Sequence, residues 1–155
     1  MATFVGTYVN KVDSKGRVSV PSRFRDAVAS QSYRGVVVAP SRDLGAIDAC
    51  DYDRITEVAA ALDDPELYTA DQRQQAEDIL ARSVELPFDD GGRILLPQDM
   101  LRHAEIDGTA QFVGIGPTFQ IWNPERRRLY EARTAAGPAA GASLRLLPKV
   151  RRGRP

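Results

Sequence analysis

Two short stretches set an acid and a base at one spacing around a glycine: DSKGR from Asp13 to Arg17, and DDGGR from Asp89 to Arg93. Such residues could do two kinds of chemistry. Asp13 with Asp89, or the neighbours Asp89 and Asp90, could act as paired carboxylates in general acid–base work. Consecutive residues in a turn do not make their side chains converge, however, so Asp89 and Asp90 are a poor pair. Alternatively, each aspartate could hold its arginine by a charge-assisted hydrogen bond. A guanidinium held in this way loses less freedom when it meets a phosphate or a guanine edge. A lone D-x-x-G-R would read as an Asp–Arg brace of the turn and nothing more. Twice in one chain, at equivalent places, it points to a two-fold binding device.

Other chemistries find little support. Cys50 is the only cysteine and His103 the only histidine. That excludes an internal disulfide and makes a zinc site implausible. Cys50 lies in the apolar run AIDAC and reads as a small core residue; His103 reads as local or surface. There is no nucleophile elbow and no metal motif, and Lys15-Gly16-Arg17 lacks the spaced glycine of a phosphate loop. The chain is expected to be no enzyme, with no cofactor, no metal and no small-molecule substrate.

The elements that carry the two turns repeat. At an offset of 76 residues, Asp13, Gly16, Arg17 and Pro21 meet Asp89, Gly92, Arg93 and Pro97. Val18 and Val20 meet Ile94 and Leu96, and Phe24 meets Met100. Further on, GVVVAP meets QFVGIG, and AIDACDYDR meets TFQIWNPER after a small change in loop length. Each unit reads as strand, tight hairpin turn, strand, short helix, and a second pair of strands. Aspartate at the first turn position can accept a backbone N–H two residues on. Glycine at the fourth position allows the positive φ that closes the hairpin. In the return strands Val18, Val20, Ile94 and Leu96 face inward, which turns Arg17 and Arg93 outward. Pro21 and Pro97 suit helix starts; Phe24 with Val28, and Met100 with Leu101 and Ala104, form the buried stripes.

Two helices are expected between the units. Ile55, Val58, Ala59 and Leu62 recur at helical spacing, Pro65 breaks the pattern, and Thr69 with Gln72 forms a capping box. The domain boundaries so read are 7–54 and 83–126 for the repeated units, 55–82 for an acidic helical connector, and 127–155 for a C-terminal helix and a basic tail without fixed structure.

Net charge is zero, yet it is unevenly spread. Residues 1–34 carry six Lys/Arg against two Asp/Glu, residues 35–110 six against seventeen, and residues 111–155 nine against two. Basic ends flank an acidic middle, so a local basic surface survives. Lys15 and Arg17 at the first hairpin tip, with Arg23 and Arg25 on the next helix, concentrate that charge. No apolar run approaches the roughly 18 residues of a membrane span, and MATFVGTY is unlike a secretory signal. A cytosolic protein is expected.

FVGTYVNKVDSKGRVSVPSRFR, DDGGRILLPQDMLRHAEI and VGIGPTFQIWNPERR, in this order and spacing, resemble the MraZ family of bacterial transcriptional regulators. That family is related to the AbrB/SpoVT swapped-hairpin DNA-binding domains, and the resemblance covers about residues 4–130. It implies an α+β fold in which two tandem AbrB-like units build a pseudo-two-fold β-barrel with flanking helices. It implies a ring-shaped homo-oligomer in cytoplasm and nucleoid, bound to direct repeats in the double-stranded promoter DNA of the division and cell-wall gene cluster. The family's D-x-x-x-R motif falls on Asp13 with Arg17 and Asp89 with Arg93. Arg17 and Arg93 are thus the expected DNA contacts, supported by Lys15, Arg23 and Arg25, with Asp13 and Asp89 orienting the arginines and Gly16 and Gly92 permitting the turns. The second unit has Gly91 where the first has Lys15, so the first is expected to grip harder. A rival reading is a structural scaffold in which the Asp–Arg turns brace subunit contacts; another is a hydrolase using the turn carboxylates.

Overall fold

The computed structural model describes residues 2–137 and 143–148. Eight strands and five α-helices follow one another: β1 (Thr7–Lys11), β2 (Arg17–Ser19), α1 (Ser22–Ala27), β3 (Gly35–Pro40), β4 (Ile47–Cys50), α2 (Tyr52–Ala61), α3 (Ala70–Arg82), β5 (Val84–Pro87), β6 (Arg93–Leu95), α4 (Gln98–Ala104), β7 (Thr109–Gly114), β8 (Phe119–Trp122) and α5 (Pro124–Ala135). The fold is α+β, as expected. All strand pairs are antiparallel, in a six-stranded sheet ordered β1-β7-β8-β4-β3-β5 and a two-stranded ribbon of β2 and β6.

That order is palindromic. Exchanging β1 for β5, β3 for β7 and β4 for β8 reads the six strands backwards, and exchanging β2 for β6 leaves the ribbon unchanged. The sequence repeat is therefore matched by a repeat in pairing. Among the described residues the ladders make an open sheet and a separate ribbon; none closes a barrel.

The strand partners differ from a simple hairpin. β1 and β2 share only an isolated bridge, Val12 to Val18; β1 runs along β7, and β2 along β6. Alternation and turn residues dictate which face of a strand is buried, but they do not name the neighbour. The second pairs fall as expected, β3 with β4 and β7 with β8.

Phe24 on α1 is the centre of the core. Its ring lies 5.4 Å from Phe4, 5.5 Å from Tyr8 and 4.9 Å from Phe119, mostly at tilted or edge-on angles. Val18, Val20, Ile94 and Leu96 close the ribbon side, and Met100 and Ala104 on α4 are buried as their spacing requires. Cys50 is buried too, and burial pushes its thiol up to about 12. His103 is half-buried, its Nε2 2.8 Å from the carbonyl oxygen of Ser41, a contact across 62 residues of chain that no local pattern announces.

Two helices, α2 and α3, lie between β4 and β5. The Thr69 hydroxyl accepts from Gln72 N at 3.1 Å, and the Gln72 side chain accepts from Thr69 N at 3.0 Å, completing the capping box. Arg42 and Arg82 both reach Asp78 on α3, holding its carboxyl below the usual carboxylate range, the Arg42 bond being the larger cause. A separate compact unit runs from Glu125. Within it Arg128 pairs with Glu125 and Arg127 with Glu131, so these arginines are engaged along their own helix. Most of the basic tail, at 138–142 and 149–155, lies outside the described residues.

Candidate nucleic-acid interface

Each D-x-x-G-R stretch folds by its own local bonds. In the first, Asp13 N donates to Arg17 O and Gly16 N to Asp13 O, both at 3.0 Å. The Asp13 carboxylate then fills the loop. Oδ1 accepts from Lys15 N and Arg17 N, both at 2.9 Å, and Oδ2 accepts from Arg17 Nε at 2.8 Å. Gly16 sits at φ +96°, a value that side chains resist. The second turn repeats this almost atom for atom. Asp89 Oδ1 accepts from Gly91 N and Arg93 N, and Oδ2 from Arg93 Nε, all at 2.9 Å, with Gly92 at φ +77°.

Three donors on one carboxylate favour its ionised form. The backbone N–H of Arg17 is the largest influence on Asp13, joined by the Arg17 side chain and Lys15 N, and its pKa falls to about 2. Asp89 is lowered as well, first by the backbone N–H of Arg93. Both carboxylates are thus held inside their own turns by three donors each. Among the described residues no group of His, Cys, Asp and Glu could hold a metal.

With Nε occupied, the terminal Nη nitrogens of each guanidinium are the donors that remain for a partner. The side chains of Arg17 and Arg93 are 39% and 44% exposed. The ribbon brings them together. Its register sets Arg17 opposite Leu95, Val18 opposite Ile94 and Ser19 opposite Arg93. Val18 and Ile94 point into the core, so Arg17, Ser19, Arg93 and Leu95 share the outer face. The two arginines are diagonal neighbours there, at the roughly 7–8 Å typical of that position.

The halves also support each other crosswise. Val20 N donates to Gly92 O at 3.1 Å, and Leu96 N to Gly16 O at 2.9 Å. Leu101 and Gln98 of α4 lie against Gly16, with Gln98 Nε2 3.4 Å from Lys15 O, while the guanidinium of Arg25 on α1 lies against Gly92. Each short helix therefore backs the turn of the other repeat.

Lys15 in the first turn and Arg23 on α1, beside Ser19, are exposed. Arg25 is different. It is half-buried, its Nε donates to Val20 O at 3.1 Å, and a Cβ placed on Gly92 would meet its guanidinium at 2.6–2.8 Å. Arg25 bonds the Val20 carbonyl just past β2 and lies against Gly92 of the second turn. Helix numbering clusters Arg25 with the other bases but does not show which distant backbone it meets. Strict alternation puts Ser19 on the face of Arg17 and Leu95 on the face of Arg93. Asn10 Nδ2 donates to Ser19 O at 2.7 Å and ties β1 to the ribbon.

Residues 79–147 match a family model described as "MraZ protein, putative antitoxin-like". The chain is 44% identical over 147 residues to a transcriptional regulator MraZ of Rhodospirillum rubrum, covering 92% of this chain and 95% of that protein. It is 44% identical over 121 residues to that of Pelagibacter ubique, covering 78% of each, and 36% identical over 157 residues to that of Gluconobacter oxydans, covering 91% and 96%.

Proposed function

Because this chain belongs to the MraZ family, we propose that it is a sequence-specific DNA-binding transcriptional regulator whose contact surface is the β2–β6 ribbon. The observation that carries this reading is the doubled turn. Two arginines, each pre-oriented by its own ionised aspartate, stand side by side on one exposed face. A two-stranded ribbon fits the major groove, roughly 12 Å wide, where a guanidinium can bond guanine O6 and N7. Lys15 and Arg23 add phosphate contacts, Asp13 and Asp89 position, and Gly16 and Gly92 permit the turns. The regulator naming of the relatives agrees with this reading.

The finer architecture belongs to the same proposal. Residues 7–54 and 83–126 act as two AbrB-like units whose hairpins exchange strands about a pseudo-two-fold axis; the palindromic strand order supports it. Copies of the chain assemble into a ring in the cytoplasm and at the nucleoid, and bind direct repeats upstream of the division and cell-wall genes. A neutral subunit with a small basic face binds weakly alone. Several faces presented to evenly spaced repeats gain effective concentration.

The test is a gel shift on a duplex from the region upstream of the chain's own gene, with Arg17→Ala and Arg93→Ala. Loss of one bidentate base contact costs about 1–3 kcal/mol, roughly a 5- to 150-fold rise in Kd. Size exclusion should show the assembly unchanged. Unaltered affinity defeats the proposal. Dissociation of the assembly by Arg17→Ala would make the turns subunit braces instead. Among the described residues no helix is long and apolar enough to cross a membrane.

A further inference from the structure

The outer face of the ribbon holds one residue that does not belong on a surface built only for phosphates. Leu95 is 55% exposed, while Ile94 and Leu96 on either side are 1% exposed. In register it lies directly opposite Arg17 and two residues from Arg93 along β6. A large apolar side chain beside two oriented guanidiniums has donors for neighbours that call for an anionic or acceptor-rich occupant, while it offers no hydrogen bond of its own.

Resting on the DNA-binding reading, we propose that Leu95 determines specificity by contacting the 5-methyl group of a thymine in the major groove. Base edges there present acceptors, amino donors, or the thymine methyl. Pressing an isobutyl group onto an acceptor or an amino group would strip it of water without a replacement bond, a penalised outcome. The methyl is the one base-edge feature an aliphatic side chain matches. The minor groove offers no methyl and is roughly 6 Å wide, so the proposal also fixes the groove.

The repeat adds a consequence. The equivalent of Leu95 in the first half is Ser19, at the 76-residue offset, and the equivalent of Lys15 is Gly91. Backbone and turns are two-fold, but these two positions are not. Leu95 recognises a methyl on one side of the face, and the Ser19 hydroxyl donates or accepts on the other. Such a face reads its site in one direction, where a strictly two-fold face would read it equally in either.

The experiment measures binding by fluorescence anisotropy, using the duplex from upstream of the chain's own gene. Each thymine is replaced in turn by deoxyuridine, which removes the methyl and leaves pairing and phosphates intact. The proteins are the full chain, Leu95→Ser, and Leu95→Gln in case serine weakens the strand. For the native chain, substitution at one or a few positions should weaken binding about fourfold per site, the value of one buried methyl. At those positions both variants should bind thymine and uracil duplexes equally. If the native chain binds the duplex but ignores every uracil, or if the variants keep the same preference, Leu95 does not read a methyl, while the regulator reading stands. Failure of the native chain to bind any of the duplexes overturns both.

Discussion

A pair of glycines with the same backbone angle tests the crosswise support of the turns. Gly92 and Gly108 both sit at φ +77°. Alanine at either carries the same left-handed penalty of about 1–2 kcal/mol, offset by about 0.4–1 kcal/mol from a less flexible unfolded chain. Around Gly108 a new Cβ meets nothing within 4 Å. Gly108→Ala should therefore cost about 1 kcal/mol net. At Gly92 the same Cβ falls 2.6 Å from Arg25 Nη1 and 2.8 Å from Nε, closer than real Cβ contacts. The guanidinium must shift, which strains or breaks its 3.1 Å bond to Val20 O. A hydrogen bond from a charged group is worth about 1.5–3 kcal/mol, less here because half-buried Arg25 can regain water. Gly92→Ala should then exceed Gly108→Ala by about 1–2 kcal/mol, roughly 2–8 °C in Tm for a chain of this size. Thermal unfolding of both variants measures the difference, and the Arg25→Ala background isolates its cause. Without the guanidinium, Gly92→Ala should fall to the Gly108 value. An excess that survives in that background, or no excess at all, refutes the role assigned to Arg25.

Further outcomes follow from the same geometry. Phe24→Ala should lose about 3–5 kcal/mol in urea unfolding, since the ring packs against Phe4, Tyr8 and Phe119; a loss below 1 kcal/mol would be incompatible with that core. Asp13 has a pKa depressed on folding from 3.8 to about 2. It therefore contributes stability that is present above the unfolded value and lost as pH falls towards the folded one. The gap in urea midpoint between the native chain and Asp13→Asn should be constant above about pH 5 and narrow towards pH 2; a gap that keeps its width would deny the bonds to Lys15 and Arg17. Cys50, with its thiol pushed up to about 12 by burial, should resist iodoacetamide at pH 8 in the folded chain and react once unfolded, as mass spectrometry would show. DNA affinity should fall steeply with added salt, and Lys15→Ala should flatten that slope by about one counterion; an unchanged slope would remove Lys15 from the phosphate contacts.

The sequence by itself determined whatever depends on near neighbours. Aspartate and glycine set the two turns, because their bonds close within five residues. Alternation put Val18, Val20, Ile94 and Leu96 inside and the arginines outside, because a strand turns its side chains every second residue whatever lies beside it. The Thr69–Gln72 cap and the stripe of Phe24 and Val28 were legible for the same reason. Only the tertiary structure decided the partners. β2 pairs with β6 from the other repeat rather than with β1, which puts Arg17 and Arg93 on one face instead of at two separate tips. It also set the Arg25 guanidinium against Gly92, behind the second turn. These contacts join residues 67 or more positions apart, and such pairings are chosen by how two repeats jointly bury one core. Composition and spacing record that a residue must face inward, while the identity of what it faces is settled only when the whole chain packs.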